Sequence, residues 1–295
     1  MKIATAQYPI GYFGNLEDWK NNILEWVVSA EDAQILIFPE YGSMEMASLF
    51  SENIQKDLVG QIVKMNELLP EFLAYFCQIA NEFDKIILCP SFPVQENGGF
   101  VNRVFVVEPN GLAGYQDKFF MTRFEDEEWE ISSGQKKLSV FETKWGKFGI
   151  QTCYDVEFGI GSKLLCEAGA EVIFAPSCTE TLKGATRVHI GARARALENQ
   201  CYVVVAQTVG DALWSPAVDI NYGYAGIYSM PDLGFPDDGI LEMGEPQKNM
   251  WLFAELEIEK IHEVRKNGSV LNFKNNSVIK NALRDSEIEI QYIRI

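Results

Sequence analysis

Four short runs of unbroken apolar residues constrain this chain more than anything else in it. Ile35-Leu36-Ile37-Phe38 stops at Pro39-Glu40, and Ile86-Ile87-Leu88-Cys89 stops at Pro90-Ser91. Val172-Ile173-Phe174-Ala175 stops at Pro176-Ser177, and Val203-Val204-Val205-Ala206 stops at Gln207-Thr208. A strand with one wet face alternates apolar and polar residues, so unbroken runs predict strands covered on both faces. Helix-length segments lie between them. Leu16 to Ser29 places Trp19, Ile23, Trp26 and Val27 at helical spacing, and Pro70 to Phe83 does the same with Phe72, Phe76, Ile79 and Ala80. Phe158 to Ala170 offers Leu164, Leu165 and Ala168, and Arg187 to Asn199 reads as a helix bearing arginines. The alternation predicts a layered α/β fold. Two hairpins, one turning at Glu108-Pro109-Asn110-Gly111 and one at Thr143-Lys144-Trp145-Gly146, make its sheets mixed rather than purely parallel.

Composition narrows the function classes. A chain of 295 residues that is 47% hydrophobic, with no low-complexity stretch, reads as one globular domain. The Gly/Pro/Asp-rich stretch Met230 to Gly239 is too short for a linker and reads as a loop. A net charge of -17 argues against nucleic acid or an anionic membrane as a partner held by a general field. No run of about 18 apolar residues suggests a membrane span, and Met1 to Gln7 lacks a secretory pattern. Cys77, Cys89, Cys153, Cys166, Cys178 and Cys201 form no C-x-x-C, and only His189 and His262 accompany them. No metal site and no cofactor are expected, and free thiols in a reducing cytoplasm are.

Candidate chemistry sits where the strands end, since pockets of open α/β sheets lie beyond the carboxyl ends of their strands. Those ends carry Glu40, Ser91, Ser177-Cys178 and Thr208, and a fifth run, Phe148 to Thr152, ends at Cys153. Cysteines are mostly packing, but a thiol on a strand-to-helix turn lies near helix N-terminal amides that favour the thiolate. Its base would be His189, whose neighbours look like an ordinary helix start, or Glu40. A carboxylate base needs burial and a nearby cation to hold a useful pKa. Lys118 ends a strand-like stretch in an aromatic setting and supplies one, although such a lysine is ordinarily a surface residue with a buried stem. Arg187, Arg193 and Arg195 read either as ligands for a substrate carboxylate or as ion-pair partners of glutamates.

Phe38-Pro39-Glu40, Lys118 after Tyr115, the elbow Gly149 to Asp155, and Arg193 to Gln200 occur in an order and spacing that resemble the nitrilase (carbon–nitrogen hydrolase) superfamily. Ala4 to Gln7 resembles its first strand. The resemblance covers most of residues 1–265. Residues 266–295 are then a C-terminal extension, packing on its own or a partner subunit, with a strand-like run at Ile288 to Ile293. The resemblance implies a four-layer α-β-β-α sandwich with mixed sheets and a Glu-Lys-Cys triad. Cys153 would be the nucleophile, Glu40 the general base and Lys118 the stabiliser of the oxyanion. The family's second carboxylate before a loop glycine, counted back from Gly134, falls on Glu127, with Glu128 as competitor. Tyr154, Ser177, Cys178 and Thr179 are expected to border the substrate. Phe120 and Gly159-Ile160 depart from the family pattern, which has a His and a Pro-Glu there. The implied reaction is hydrolysis of a small amide through a cysteine thioester, with a nitrile or an N-carbamoyl compound as alternative substrate and a catalytically silent binding protein as the alternative class. Association into a homodimer or higher oligomer through the helices at Phe158 to Ala170 and Arg187 to Asn199 is also implied.

Overall fold

The computed structural model describes residues 1–276, 278, 291 and 292. The run Ile288 to Ile293 falls outside them but for Gln291 and Tyr292. The chain opens with β1 (Lys2–Pro9), α1 (Leu16–Ser29) and β2 (Ile35–Ile37), then a 3₁₀ segment over Gly42–Leu49 and the helices α2 (Glu52–Gln55), α3 (Leu58–Met65) and α4 (Leu69–Glu82). Next come β3 (Ile86–Leu88), β4 (Phe92–Glu96), β5 (Gly99–Glu108), β6 (Gly111–Asp117), α5 (Arg123–Glu127), β7 (Ile131–Ser132), β8 (Val140–Thr143) and β9 (Gly146–Ile150). A 3₁₀ turn, Cys153–Glu157, leads into α6 (Gly159–Glu167), β10 (Val172–Ser177), α7 (Leu182–Asn199) and β11 (Tyr202–Asp211). β12 (Ile220–Asn221), β13 (Gly226–Tyr228), β14 (Ile240–Met243), β15 (Met250–Glu255) and α8 (Ile258–Asn267) complete it.

The helices form where apolar spacing and caps coincide. Asn15 accepts the Asp18 N–H at 2.9 Å and starts α1, which buries Trp19, Ile23 and Val27. α4 buries Phe72, Phe76, Ile79 and Ala80, as their spacing predicts. α6 differs from expectation. Leu164 and Ala168 face outward, and the buried face is Gly161, Ser162, Leu165 and Cys166. Gly161 lies so close to Gln151 that a Cβ would overlap its side-chain oxygen, which fixes which face turns inward. Ile160, Leu164, Ile190 and Leu197 stand exposed on α6 and α7.

Among the described residues the strands join in one curled ladder whose main path is β4-β5-β3-β2-β1-β11-β10-β9-β8. The six central strands run parallel, and the flanking hairpins are antiparallel. Alternation along each strand separates three apolar layers. On β2, Ile35 and Ile37 face an inner cluster, while Leu36 faces α1 and α4 with Trp19, Phe72 and Phe76. On β11, Val204 and Ala206 join the same inner cluster, while Val203 and Val205 face α6 and α7 with Leu165, Val188 and Ala192. Phe148 and Phe174, 5.0 Å apart, meet Val104 and Val106 in the inner layer. Three cores between four layers make the α-β-β-α sandwich.

The two halves of the ladder join where Gln7–Pro9 pairs with Gln207–Val209. That pairing, and β12, carry β11 on to Asp211, past its expected stop at Gln207-Thr208. The described residues that follow α8 contact the rest of the chain. Asn276 donates to the Glu198 carbonyl at 2.7 Å, and Arg265 lies 4.1 Å over the Phe273 ring.

One close approach tests this architecture. A Cβ on Gly191 of α7 would sit 3.0 Å from the Val156 carbonyl oxygen and 3.2 Å from the Glu157 Cα, both backbone atoms of the Cys153–Glu157 turn. Gly191→Val is expected to destabilise the fold by about 1–3 kcal/mol, read as a lower urea midpoint with unchanged slope, and Gly191→Ala by less. A midpoint equal to wild type for the valine variant would refute the contact.

Candidate active site

Three strand ends aim side chains at one point. β2 runs out through Phe38 and Pro39, and Ser91 closes the turn. The Ser91 hydroxyl accepts the Tyr41 N–H at 2.8 Å, and its own N–H donates to the Pro39 carbonyl at 3.3 Å. Tyr41 sits in the left-handed region at φ 53°, which turns the chain and leaves Glu40 1% exposed. Lys118 follows β6 directly, with its N–H on the Asn102 carbonyl at 2.9 Å and its carbonyl accepting Gly134 N–H at 3.1 Å. Cys153 follows β9 with φ 48°. A non-glycine residue in this region carries strain of roughly 1–3 kcal/mol, and such strain persists where surrounding structure holds it. Here Arg195 grips the turn, donating to the carbonyls of Val156 and Glu157 at 3.0 Å each.

The Lys118 ammonium lies between two carboxylates, 2.8 Å from Glu40 Oε1 and 2.6 Å from Glu125 Oε2. Asn102 bridges the same pair from the other side, donating to Glu40 at 2.8 Å and to Glu125 at 3.1 Å. Glu40 Oε2 accepts the Cys178 N–H at 2.9 Å. Glu125 also accepts from the Tyr41 hydroxyl at 2.8 Å and from the Thr122 N–H and hydroxyl at 2.9 and 3.0 Å. The Cys153 thiol donates to the Cys178 carbonyl at 3.6 Å and stands near enough to Glu40 for each to shift the other's titration. Asp155, buried two residues on, accepts the N–H groups of Phe119 and Phe120 at 3.0 and 2.8 Å, tying the cysteine elbow to the lysine loop.

Burial and charge set the protonation states. For Lys118, burial would lower the pKa, but the charges of Glu125 and Glu40 hold it well above its ordinary value. Burial pushes Glu40 up, the Lys118 charge pulls it down and the Glu125 charge pushes it up again, leaving it raised. Burial acts on Glu125 too, yet Lys118 and the hydrogen bonds from Lys118, Thr122 and Tyr41 hold it below the ordinary carboxylate value. Burial, then the Glu40 charge, push the Cys153 thiol well up. The resting sulfur is therefore a thiol, against the expectation that helix amides favour the thiolate: the elbow is a single 3₁₀ turn, and a buried carboxylate stands beside it. Burial likewise drives Asp155 up to about 7 and Cys178 up to about 12.

Glu40, Lys118 and Cys153 thus meet, although 78 and 35 positions separate them in sequence. The second glutamate is not where the sequence reading put it. Glu127 forms an exposed (i, i+4) ion pair with Arg123, at 2.9 and 2.8 Å, and Glu128 is exposed. Glu125 occupies the cluster, because Thr122 and Glu125 make a capping box that turns this side chain back toward Lys118. The Thr-x-x-Glu pattern was visible in the sequence and points to Glu125. Tyr154, Cys178 and Thr179 line the cavity beside Cys153, whereas Ser177 is fully buried and hydrogen-bonded to the Ala175 carbonyl at 3.0 Å. Strand alternation turns Ser177 away from its neighbour Cys178. His189 lies elsewhere, stacked on Tyr224 at 3.9 Å with Tyr228 at 2.6 Å, its pKa lowered by burial to about 4. Asn102 and Tyr41 carried no sequence signal, being one polar residue within a buried strand and one turn residue.

The cavity, of about 450 Å³, is walled by Tyr41, Met121, Phe124, Trp129 and Tyr154 around the Glu40–Lys118–Cys153 floor. Its size suits a small molecule. Among the described residues no group of three or more His, Cys, Asp or Glu is placed to hold a metal ion, and no helix is long and apolar enough to cross a membrane.

The chain is similar in sequence and in fold to known proteins. The sequence profile of the family described as carbon-nitrogen hydrolase matches residues 2–232. A probable hydrolase of Bacillus subtilis is 31% identical over 277 residues, 93% of this chain and 53% of that protein. An omega-amidase of Saccharomyces cerevisiae is 32% identical over 158 residues, 53% of this chain and 46% of that one. The chain spans about half the length of these curated relatives. The crystal structure of Saccharomyces cerevisiae Nit3, a member of branch 10 of the nitrilase superfamily, superposes with a TM-score of 0.70 at 23% identity, covering 90% of this chain and 93% of that one. The fold, the profile match and the relatives named hydrolase and amidase lead to one statement: this chain belongs to the carbon–nitrogen hydrolase family.

Proposed function

We propose that this chain hydrolyses the carbon–nitrogen bond of a small amide through a thioester on Cys153. The observation that carries the reading is the Glu40 carboxylate, 2.8 Å from the Lys118 ammonium and beside the Cys153 thiol in one cavity. Glu40, poised by burial above an ordinary glutamate, takes the thiol proton as the sulfur attacks the amide carbonyl. Negative charge moves onto the carbonyl oxygen, where Lys118 and the Tyr154 N–H stabilise it; one such donor supplies roughly 3–4 kcal/mol. The tetrahedral adduct collapses, Glu40 returns the proton to the leaving nitrogen, and ammonia or an amine departs. Water then attacks the thioester with Glu40 again as base, releasing a carboxylic acid and restoring the thiol. Glu125 keeps Lys118 charged and fixed without touching the sulfur. That a relative is named an omega-amidase supports the reaction class.

Cys153→Ala is expected to release no ammonia from any amide while keeping the wild-type circular dichroism. Glu40→Gln should bind amide but lose acylation by about 10²–10⁴-fold. Full turnover in the alanine variant would end the proposal.

The pH dependence follows from the signs above. The base works ionised, so kcat/KM falls on the acid side as Glu40 takes up a proton, and this limb should lie above the ordinary glutamate value of 4.5. Glu125 contributes a negative charge that raises the Glu40 pKa. Glu125→Gln removes that charge and leaves Lys118 paired with Glu40 alone, so the limb should move to lower pH as the maximal rate falls. A pH profile whose acid limb stays in place, or moves up, would show that Glu40 is not the titrating base.

A further inference from the structure

The charges around the cavity are unevenly used. Its floor and walls hold three cations, and each is already engaged. Lys118 is bound by Glu40 and Glu125, Arg123 by Glu127 through two hydrogen bonds, and Arg187 by Glu157 through two more. The other two arginines of α7 are occupied as well, Arg193 on the Asp238 carbonyl at 3.0 Å and Arg195 on Glu198 and the elbow. The anions are not matched in the same way. Glu180, itself exposed to solvent, lines the cavity and has no ion-pair partner among the described residues. Asp219 and Glu128 stand near enough to add to its negative field. The same cavity is lined by Trp129, Phe124 and Tyr154, surfaces that pack methylenes and attract cations.

We propose, resting on the amide-hydrolase reading above, that the pocket selects amides whose far end is an alkylammonium and disfavours those ending in a carboxylate. A carboxylate tail would meet no free cation and would face Glu180, whereas an ammonium tail meets an unpaired carboxylate across an aromatic wall. Like charges brought together discriminate strongly between partners. Of the arginines of α7, one candidate for binding a substrate carboxylate on sequence alone, only Arg187 lines the cavity, and it is paired with Glu157.

The test uses three primary amides of matched length: 5-aminopentanamide, pentanamide and 4-carbamoylbutanoate. Ammonia release by the full chain should rank them in that order, with kcat/KM falling about tenfold at each step, mainly through KM. Glu180→Gln should bring the amine-to-neutral ratio down about tenfold. A carboxylate substrate that equals or beats pentanamide overturns the proposal, as does a ratio that Glu180→Gln leaves unchanged. Calorimetric binding of the same three amides to Cys153→Ala separates the two readings. If that variant ranks them as stated while wild type hydrolyses none, the reaction is wrong and the charge preference stands. If it ranks them otherwise or binds none, the charge preference is wrong whatever wild type does.

Discussion

One buried ammonium shared by two buried carboxylates is the interaction on which the site depends. Taken out of water singly, any of these three charges would carry a penalty of several kcal/mol. Together they leave one excess negative charge, and the surrounding donors absorb it. Glu40 accepts from Lys118, Asn102 and the Cys178 N–H, and Glu125 from Lys118, Asn102, Tyr41 and Thr122. Both carboxylates of this buried network are satisfied, whereas the Asn102 Oδ1 has no partner among the described residues. The arrangement also separates their tasks. Glu125, with the larger donor set, is held ionised as a counter-ion, while Glu40 remains the softer acid, raised by burial and by its neighbour's charge. In the proposed reaction the first proton transfer neutralises the cluster and carries its excess negative charge onto the sulfur, so the pocket as a whole gains and loses none.

The fold makes this cluster affordable by placing it where the sheet halves diverge. Parallel strands covered on both faces end together, so residues far apart in sequence converge at one rim. Tyr41 and Cys153, both at positive φ, turn the chain sharply at that rim, and their strain is held by partners from other elements: Ser91 for the first, Arg195 for the second. The site is therefore supported by side chains that do not enter it.

Much of this was legible in the sequence, and the misses have physical reasons. Unbroken apolar runs marked β2, β3, β10 and the core of β11, because strands dry on both faces admit no alternation. Helix α1 was readable to its boundaries because apolar spacing and caps agree. On α6 the apolar set Leu164, Leu165 and Ala168 is split, since only Leu165 joins the buried face with Gly161, Ser162 and Cys166. Glu40, Lys118 and Cys153 were visible as polar residues at strand ends, but their contact was not, since only the curl of the ladder brings β2, β6 and β9 together. Spacing back from Gly134 points to Glu127, whereas the local hydrogen bonding of Thr122 selects Glu125. Asn102 was invisible, since a buried polar residue on a strand is recognisable only once its partners are in place.

Cys178 follows β10 directly. Cys178 touches the base through its N–H and the nucleophile through its carbonyl, at 2.9 Å and 3.6 Å. The N–H and the carbonyl of one residue thereby act as a caliper spanning the two reacting groups.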